Sequence, residues 1–285
     1  MTHGTLETRI EGLLSGMSLE EKIGQLTMVR GGAGASGPEL SDTQLDDARA
    51  GRVGSILDVG THPGIRRAQE VAVKESRLGI PLLVTLDVLH GYETIFPIPL
   101  GEAAAFDPGL WEATARVAAE ESSAAWIDLT FAPMLDVARD ARWGRIAESP
   151  GEDPWICSRF AEAKVRGFQG ELSAPGALAA TAKHLGGYGA VMSGREYNSV
   201  DISARSLHEV HLPPFVAAVR AGVAAIMPSF NDLAGVPMHS HVAILRELVR
   251  KRWGFDGVMI SDFGAVAELI PHGVAADLAE AAALR

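Results

Sequence analysis

Short hydrophobic runs alternate with longer amphipathic runs along most of this chain. The short runs are hydrophobic at consecutive positions and end in polar or glycine-bearing turns, a pattern typical of strands buried on both faces of a sheet. Six such strands are predicted, at residues 53–59, 81–86, 129–135, 178–183, 224–229 and 258–261. Helical patterns separate them, for example at residues 108–124, 158–169, 206–221 and 241–251. This alternation predicts an α/β fold with a parallel sheet.

The segment before the first predicted strand contains two local signals. Ser18 is followed three residues later by Glu21, a spacing that predicts a capping box at the start of a helix. The glycine-rich run at residues 31–37 superficially resembles a dinucleotide-binding turn. Because the run precedes a predicted strand and does not follow one, we interpret it as a flexible loop.

Two architectures fit the alternation, namely an open doubly wound sheet and a (β/α)8 TIM barrel. A barrel places functional residues at the carboxyl ends of several strands. Here charged or polar residues directly follow the predicted strands, at Asp87, Asp136, Lys183 with His184, Ser229 to Asn231, and Asp262. A charged residue at such a position is costly unless it is paired or lines a site. The repetition from strand to strand favours a barrel with its site at this mouth.

Composition and charge remove several classes of function. The 285-residue chain is 47% hydrophobic and 21% charged, which excludes a disordered protein. Its net charge of -11 argues against binding to nucleic acid. Cys157 is the only cysteine, so an intrachain disulfide is excluded. The sequence shows no secretory signal and no apolar run of membrane-spanning length, so we expect a cytoplasmic protein. A secreted or periplasmic location is the alternative if a signal has been removed.

The residues at the predicted strand ends suit a ligand with many hydroxyl groups. Carboxylates accept hydrogen bonds from hydroxyls, whereas Lys and Arg donate charge-assisted hydrogen bonds to them. Cleavage of a glycoside needs two carboxyl groups, one to attack or to activate water and one to protonate the leaving oxygen. Asp262 is our candidate nucleophile, because basic residues from other strands can keep it ionised. Trp143 could offer an apolar face to a sugar ring or could pack in the core.

Two other kinds of site are not supported by residue spacing. The nine histidines show no H-E-x-x-H or comparable metal-ligand spacing, and we expect His239 and His241 to cap a helix or to lie on the surface. The chain also lacks the G-x-S-x-G motif of a serine nucleophile. The sequence therefore predicts no metal site and no cofactor.

Several segments taken together resemble the signature segments of glycoside hydrolase family 3. They lie at residues 80–91, 139–145, 183–184 and 257–263. Within the family the chain is most similar to the bacterial multidomain β-glucosidases, through residues 96–101 and 195–198. The resemblance runs from about residue 17 to the end of the chain, with the motifs in the same order.

The resemblance implies a (β/α)8 domain that hydrolyses a β-glucoside or a short β-linked oligosaccharide with retention. By motif, Asp262 matches the family's nucleophile. The residues that match its first sugar subsite are Asp87, Arg142, Lys183 and His184. Phe230 is also expected at the substrate, at a position where many members carry Tyr. The run after Lys183 departs from the K-H-F-P-G-H-G pattern of the N-acetylglucosaminidase branch, which argues against that branch.

The family resemblance also implies a longer protein. The chain ends in the helix after the sixth predicted strand, so we expect residues 1–285 to be an incomplete barrel domain. Family members continue with two more β/α units and an α/β sandwich domain that carries the acid/base Glu. Within this chain, Glu148, Glu152 and Glu196 are local candidates for an acid. The alternative function is a sugar-binding or structural half that turns over no substrate unless a complementing C-terminal fragment or second chain supplies the remainder.

Overall fold

The computed structural model describes residues 6–34 and 37–284. The chain divides into two compact units, each of which is described by itself. The first comprises the N-terminal part up to Leu86 together with Ala124–Leu129, and the second comprises Asp87–Ser123 together with the chain from Thr130 onwards. No helix in the described ranges is long and apolar enough to span a bilayer.

The first unit is built from parallel strands with helices between them. Its strands are β1 (Met28–Arg30), β2 (Gly32–Gly34), β3 (Gly37–Glu39), β4 (Ser55–Leu57) and β5 (Leu83–Leu86). Its helices are α1 (Leu6–Gly16), α2 (Leu19–Gln25), α3 (Asp42–Arg49) and α4 (His62–Glu70), and a π-helical turn (Val71–Glu75) extends α4. β4 pairs in parallel with β1 on one side and with β5 on the other. β2 and β3 form a separate antiparallel pair.

The second unit repeats the α/β arrangement of parallel strands and helices. Its helices are α5 (Pro99–Ala103), α6 (Pro108–Ala124), α7 (Pro154–Gln169), α8 (Ala204–Ser206), α9 (Pro213–Arg220) and α10 (Leu278–Ala283). β6 (Leu129–Thr130) crosses the boundary between the units, and the later strands are β7 (Ala179–Leu185), β8 (Ala225–Pro228), β9 (Asp232–Leu233), β10 (Val236–Pro237) and β11 (Val258–Met259). π-helical segments lie at Leu207–His211 and Ala243–Arg252, and 3-10 turns lie at Ile146–Glu148, Tyr188–Ala190, Met192–Gly194, Met238–Ser240 and Ala267–Leu269.

The parallel strands of the second unit position its functional side chains. β8 pairs in parallel with β7 and with β11, whereas β9 and β10 form a short antiparallel pair. β8 is buried throughout, and β7 is buried at all but its first residue. This is the burial that consecutive apolar positions predict for a strand covered on both faces.

All six predicted strands are present, and each lies within or close to its predicted range. The predicted number of parallel strands was one too low, because β1 is a further parallel strand. The predicted helix at residues 108–124 is confirmed as α6, and Ser18 and Glu21 form the predicted capping box. The predicted helix at residues 206–221 is broken into a π-helical segment and α9, because Pro213 cannot continue the helical hydrogen bonds.

The glycine-rich run differs from the flexible loop expected of it. β2 and β3 pair there in antiparallel fashion, with Gly32 opposite Glu39. Residues 35 and 36 lie outside the described ranges. A short antiparallel pair of this kind is not the strand-to-helix turn of a dinucleotide site.

A buried ion pair stabilises the helices of the second unit. The Lys164 ammonium lies 2.6 Å from one oxygen of Glu102 and 2.7 Å from the other, and both side chains are almost fully buried. Thr114 donates a hydrogen bond to the same carboxylate. Burial lowers the pKa of Lys164, whereas the charge of Glu102 opposes that shift. Each buried charge is therefore compensated by its partner.

Candidate active site

Asp262 lies in the turn after β11, and its two carboxylate oxygens have different environments. Oδ1 accepts a hydrogen bond of 2.7 Å from the backbone N–H of Phe263. Oδ2 is enclosed and has no hydrogen-bond partner among residues 6–34 and 37–284. One oxygen thus orients the carboxylate while the other stays uncommitted, as an attacking group requires.

The charge state of Asp262 reflects a balance of opposing effects. Burial raises the pKa of this carboxyl above its usual value. The Phe263 N–H and the charges of Lys183 and Arg145 act in the opposite direction, and the charge of Asp87 adds to the increase. The nearby cations therefore favour the ionised form that a nucleophile needs.

His184, near the end of β7, forms a buried pair with Asp136. Its backbone N–H and its ring Nδ1 each lie 2.9 Å from Oδ2 of Asp136. Burial, with Arg145 and Lys183 nearby, lowers the pKa of His184 well below its usual value, so the ring is neutral at pH 7. Burial raises the pKa of Asp136 to about 7. With Nδ1–H donating to Asp136, the Nε2 lone pair of the ring is left for a ligand.

The His184 ring and the Asp262 carboxylate are neighbours that do not hydrogen-bond to each other. His184 Nε2 lies 3.7 Å from Oδ2 of Asp262, which is longer than a hydrogen bond. A hydroxyl close to both atoms could hydrogen-bond to either one. The structure thus brings the predicted nucleophile and the predicted sugar-binding histidine into one site.

Lys183 and Asp87 form an ion pair in the same unit. Lys183 Nζ lies 2.5 Å from Oδ1 of Asp87. The Lys183 side chain is 6% exposed and the Asp87 side chain is 48% exposed, so one charge is buried and the other reaches solvent. The remaining donors of the ammonium and the second carboxylate oxygen can bind neighbouring hydroxyls of a sugar.

The two arginines of the 139–145 motif have different roles in the structure. Arg142 is 70% exposed on its side chain and pairs with Asp140 at 2.6 Å. Arg145 is less exposed and pairs with Glu148 at 2.7 Å. Arg145 is also the arginine whose charge lowers the pKa of Asp262. The sugar-binding role of Arg142 stays a prediction, whereas Arg145 acts on the nucleophile through its charge.

Two of the three candidate acids, Glu196 and Glu148, are already engaged in other bonds. Glu196 accepts hydrogen bonds from the Tyr188 hydroxyl at 2.5 Å and from Trp143 Nε1 at 2.6 Å. The Glu148 carboxylate forms an ion pair with Arg145. A carboxyl held by these partners would have to leave them before it could protonate a leaving oxygen. Trp143 is fully buried, so of its two proposed roles the structure favours packing.

The loop that carries Glu196 lies tightly against the preceding motif. A Cβ atom on Gly189 would collide with the carbonyl of Val137, and a Cβ atom on Gly194 would lie 2.8 Å from the backbone nitrogen of Trp143. Gly194 also has a positive φ of 64°, which side chains with a Cβ rarely adopt. Glycine at both positions allows this close contact.

Phe230 is packed against two tyrosines. Its ring centroid lies 4.6 Å from that of Tyr197 and 6.2 Å from that of Tyr188, and the residue is 8% exposed. Tyr188 in turn packs edge-on against the ring of His184 at 5.4 Å. Phe230 therefore belongs to an aromatic cluster that supports the histidine, and its contact with substrate stays a prediction.

His239 differs from its prediction as a capping or surface residue. It is 3% exposed, and its Nε2 accepts a 3.3 Å hydrogen bond from the backbone N–H of Asp262. His241 does lie at a helix start, where its ring accepts from the N–H of Ile244. The H-x-H spacing gave no sign that the first histidine would reach the nucleophile's backbone, because that contact depends on the path of the chain after β10.

Asp136, Arg145 and Tyr188 received no role in the site from the sequence. The strand-end pattern includes Asp136, but it does not indicate that this carboxyl pairs with His184. Arg145 is part of a quoted motif, whereas Tyr188 carried no signal. No group of three or more His, Cys, Asp or Glu side chains within the described ranges is arranged to hold a metal ion.

Comparison with known proteins identifies the family of this chain. The chain matches the N-terminal domain of glycosyl hydrolase family 3 over residues 18–284. It belongs to glycoside hydrolase family 3. The motifs at residues 80–91, 139–145, 183–184 and 257–263 are thus family segments.

Relatives and solved structures agree on this family. A periplasmic β-glucosidase of Salmonella typhimurium is 40% identical over 94% of this chain and 35% of its own length. A putative β-xylosidase of Formosa agariphila is 32% identical over 93% of this chain and 38% of its own length. The crystal structure of a Listeria innocua β-glucosidase in complex with glucose matches with a TM-score of 0.91 and 38% identity, over 98% of this chain and 40% of that one. This chain therefore spans less than half the length of the proteins it matches.

Proposed function

We propose that this chain carries the nucleophile and first sugar subsite of an enzyme that hydrolyses terminal β-D-glucosyl or related β-glycosyl residues with retention. The observation that carries the proposal is the Asp262 carboxylate, oriented through Oδ1 and uncommitted at an enclosed Oδ2. The names of the relatives, which include β-glucosidases and β-xylosidases, support a β-glycoside as substrate. Complexes of the Listeria β-glucosidase with glucose and laminaribiose support a β-glucoside in particular.

The proposed reaction proceeds in two displacements. Lys183, Asp87 and His184 bind hydroxyls of the terminal sugar and hold its anomeric carbon against Asp262. Oδ2 of Asp262 forms a bond to that carbon as the glycosidic bond breaks, and the leaving oxygen takes a proton from a general acid. Water, deprotonated by the same acid/base group, then attacks the anomeric carbon and releases the sugar and the free carboxylate. Two inversions at one carbon give net retention.

We propose that the acid/base group lies outside residues 1–285. Glu196 and Glu148 are both engaged in other bonds, and the family resemblance implies a Glu on a downstream α/β sandwich domain. We further propose that these residues form an incomplete (β/α)8 barrel that such a remainder completes, either in the same protein or as a complementing chain. Parallel strands in both units and the TM-score of 0.91 to the Listeria enzyme support the barrel.

The cellular compartment of the protein has two candidates. A cytoplasmic location stays a prediction from the sequence. The name of the Salmonella relative supports the periplasmic or secreted alternative.

The test is covalent trapping of the nucleophile. A 2-fluoro glucoside with a good leaving group should label the purified chain, and peptide mass spectrometry should find the label on Asp262. Asp262→Asn should abolish labelling, because an amide oxygen is a far weaker nucleophile. Asp256→Asn, at an exposed carboxylate just before β11, is the matched control and should label normally. A label on another residue, or full labelling of Asp262→Asn, would contradict the assignment.

A further inference from the structure

We propose that Trp126 and the neighbouring face of α4 form a second, noncatalytic sugar site that binds a β-linked gluco-oligosaccharide. Every residue of this site belongs to the first unit, whereas Asp262 and its neighbours belong to the second. The identity of the sugar rests on the proposed function. The existence of a ligand site rests on Trp126 itself.

Trp126 has a backbone conformation that is unfavourable for its side chain. It is the second residue after α6 ends, and its φ is +65°. Helices commonly end with a residue in this left-handed conformation, and that residue is usually Gly because any Cβ is strained there. A bulky aromatic residue at this position works against local stability. Such strain at a residue that could readily be Gly points to a function of the side chain.

The indole is displayed at the surface in a fixed orientation. Trp126 is 42% exposed. His62 and Arg66 lie one turn apart on α4 and both contact it. The ring centroid of His62 lies 5.3 Å from that of the indole, and Cζ of Arg66 lies 5.5 Å from the indole centroid. Asp128 then holds the turn, since its backbone N–H donates to the Val84 carbonyl and its carboxylate accepts from the Val84 N–H, both at 2.9 Å. The ring is therefore positioned before any ligand arrives.

A pocket of about 330 Å³ lies beside the ring. Its lining is Arg66, Gln69, Glu70, Val73, Lys74 and Trp126. The Gln69 side chain is fixed by two hydrogen bonds to the backbone of Leu82, one donated and one accepted. Val73 is 46% exposed and adds apolar surface next to the indole. The volume lies in the range of small-ligand pockets, about 300–1,000 Å³.

The chemistry of this pocket suits a neutral sugar more than a charged ligand. The indole and Val73 offer an apolar surface to the C–H face of a pyranose ring. Glu70 and Lys74, an exposed ion pair at 3.1 Å, carry opposite charges and can accept from and donate to hydroxyls. Arg66 and Lys74 oppose the binding of a cation at the rim, and Glu70 opposes the binding of an anion. A β-linked gluco-oligosaccharide has the required apolar faces and hydroxyl edges.

The experiment compares retention of variants in native gels that contain laminarin, a soluble β-glucan. The parent chain should be retarded, and Trp126→Gly should lose the retardation. In a fluorescence titration with laminarihexaose, Trp126→Gly should bind at least about tenfold more weakly. Gly relieves the left-handed strain, so the melting temperature of this variant should be close to that of the parent or higher. Loss of binding without loss of folding would support the site.

The control is Trp155→Ala, because Trp155 is also exposed and also has an arginine, Arg159, over its ring. It should be retarded like the parent. Unchanged retardation of Trp126→Gly would overturn the proposal. The proposal would also be overturned if Trp126→Gly kept the retardation but changed its oligomeric state in sedimentation. A second copy of the chain would then be the occupant of the pocket. Failure of 2-fluoro glucoside labelling at Asp262 with Trp126-dependent retardation intact would contradict the catalytic proposal alone.

Discussion

Replacing Lys183 by Met should weaken sugar binding and shift the pH dependence of the nucleophile together. The change keeps most of the side-chain volume and removes the ammonium that lies 2.5 Å from Asp87. It also removes one of the charges that lower the pKa of Asp262. The two effects have separate readouts, so each part of the reasoning can be tested by itself.

The magnitudes follow from burial. The Lys183 side chain is 6% exposed, so a hydrogen bond from it to a sugar hydroxyl is shielded from water and is worth about 1.5–3 kcal/mol, or roughly 10- to 150-fold in affinity for glucose. Asp87 is 48% exposed, so water can solvate it once the partner is gone. We therefore expect the free energy of unfolding to fall by only about 1 kcal/mol.

The direction of the pH effect is fixed by the charge that is lost. Asp262 must be ionised to attack, so labelling slows as the pH falls below its pKa. Without Lys183 that pKa rises further, because a cation that favoured the carboxylate is absent. The acid limb of the labelling rate should therefore move to higher pH.

The assay is calorimetric titration with glucose, combined with the rate of 2-fluoro glucoside labelling as a function of pH. Lys251→Met is the control, because Lys251 pairs with Glu247 at the surface and is 68% exposed on its side chain. It should change neither quantity. Parent-like glucose affinity in Lys183→Met would show that the lysine is structural. An acid limb that stays in place or moves to lower pH would refute its electrostatic role at Asp262.

Three further predictions concern the buried charges and the missing acid. The pKa of Asp136 is 3.8 when unfolded and about 7 when folded, so its contribution to stability is fully present below about pH 4 and is lost as the pH rises through about 7. In urea unfolding, Asp136→Asn should reduce the change in the free energy of unfolding between low and neutral pH by up to about 4 kcal/mol. An unchanged pH dependence would contradict a buried carboxyl with a raised pKa. Lys164→Met should cost about 3–5 kcal/mol by leaving Glu102 unpaired, while adding Glu102→Gln should restore much of that loss; an equal loss in Lys251→Met would refute the role of burial. The purified chain should release dinitrophenol slowly from a dinitrophenyl glucoside through Asp262 but should not cleave cellobiose at a useful rate, because acid assistance is worth about 10²–10⁴-fold; efficient cellobiose cleavage would show that the acid lies within residues 1–285.

The strands could be predicted because burial on both faces leaves a simple mark in the sequence. β7 and β8 are almost entirely buried, and their residues are apolar except for Thr181, Lys183 and His184. β1 was missed because it is short, only partly buried at Met28 and Val29, and exposed at Arg30. A partly exposed strand of mixed polarity does not differ in composition from the loops beside it.

The site residues could be predicted where their position in or after a strand determines the direction of the side chain. Lys183, His184 and Asp262 lie in or directly after strands, and the structure brings them together. Arg142 and Arg145 lie in one irregular turn, and their sequence spacing does not determine which of them turns inward. The positive φ of Trp126 was equally invisible, since a helix end is normally recognised by Gly and the sequence here has none.

The close contact at Gly189 and Gly194 has a consequence for engineering this enzyme family. The 188–196 loop and the 139–145 turn touch backbone to backbone, and Glu196 joins them through Trp143. A graft of either segment alone from another family member would meet a partner shaped for a different loop. Chimaeras that exchange the two segments together should fold more often than chimaeras that exchange one, so the pair is the natural unit of recombination around this site.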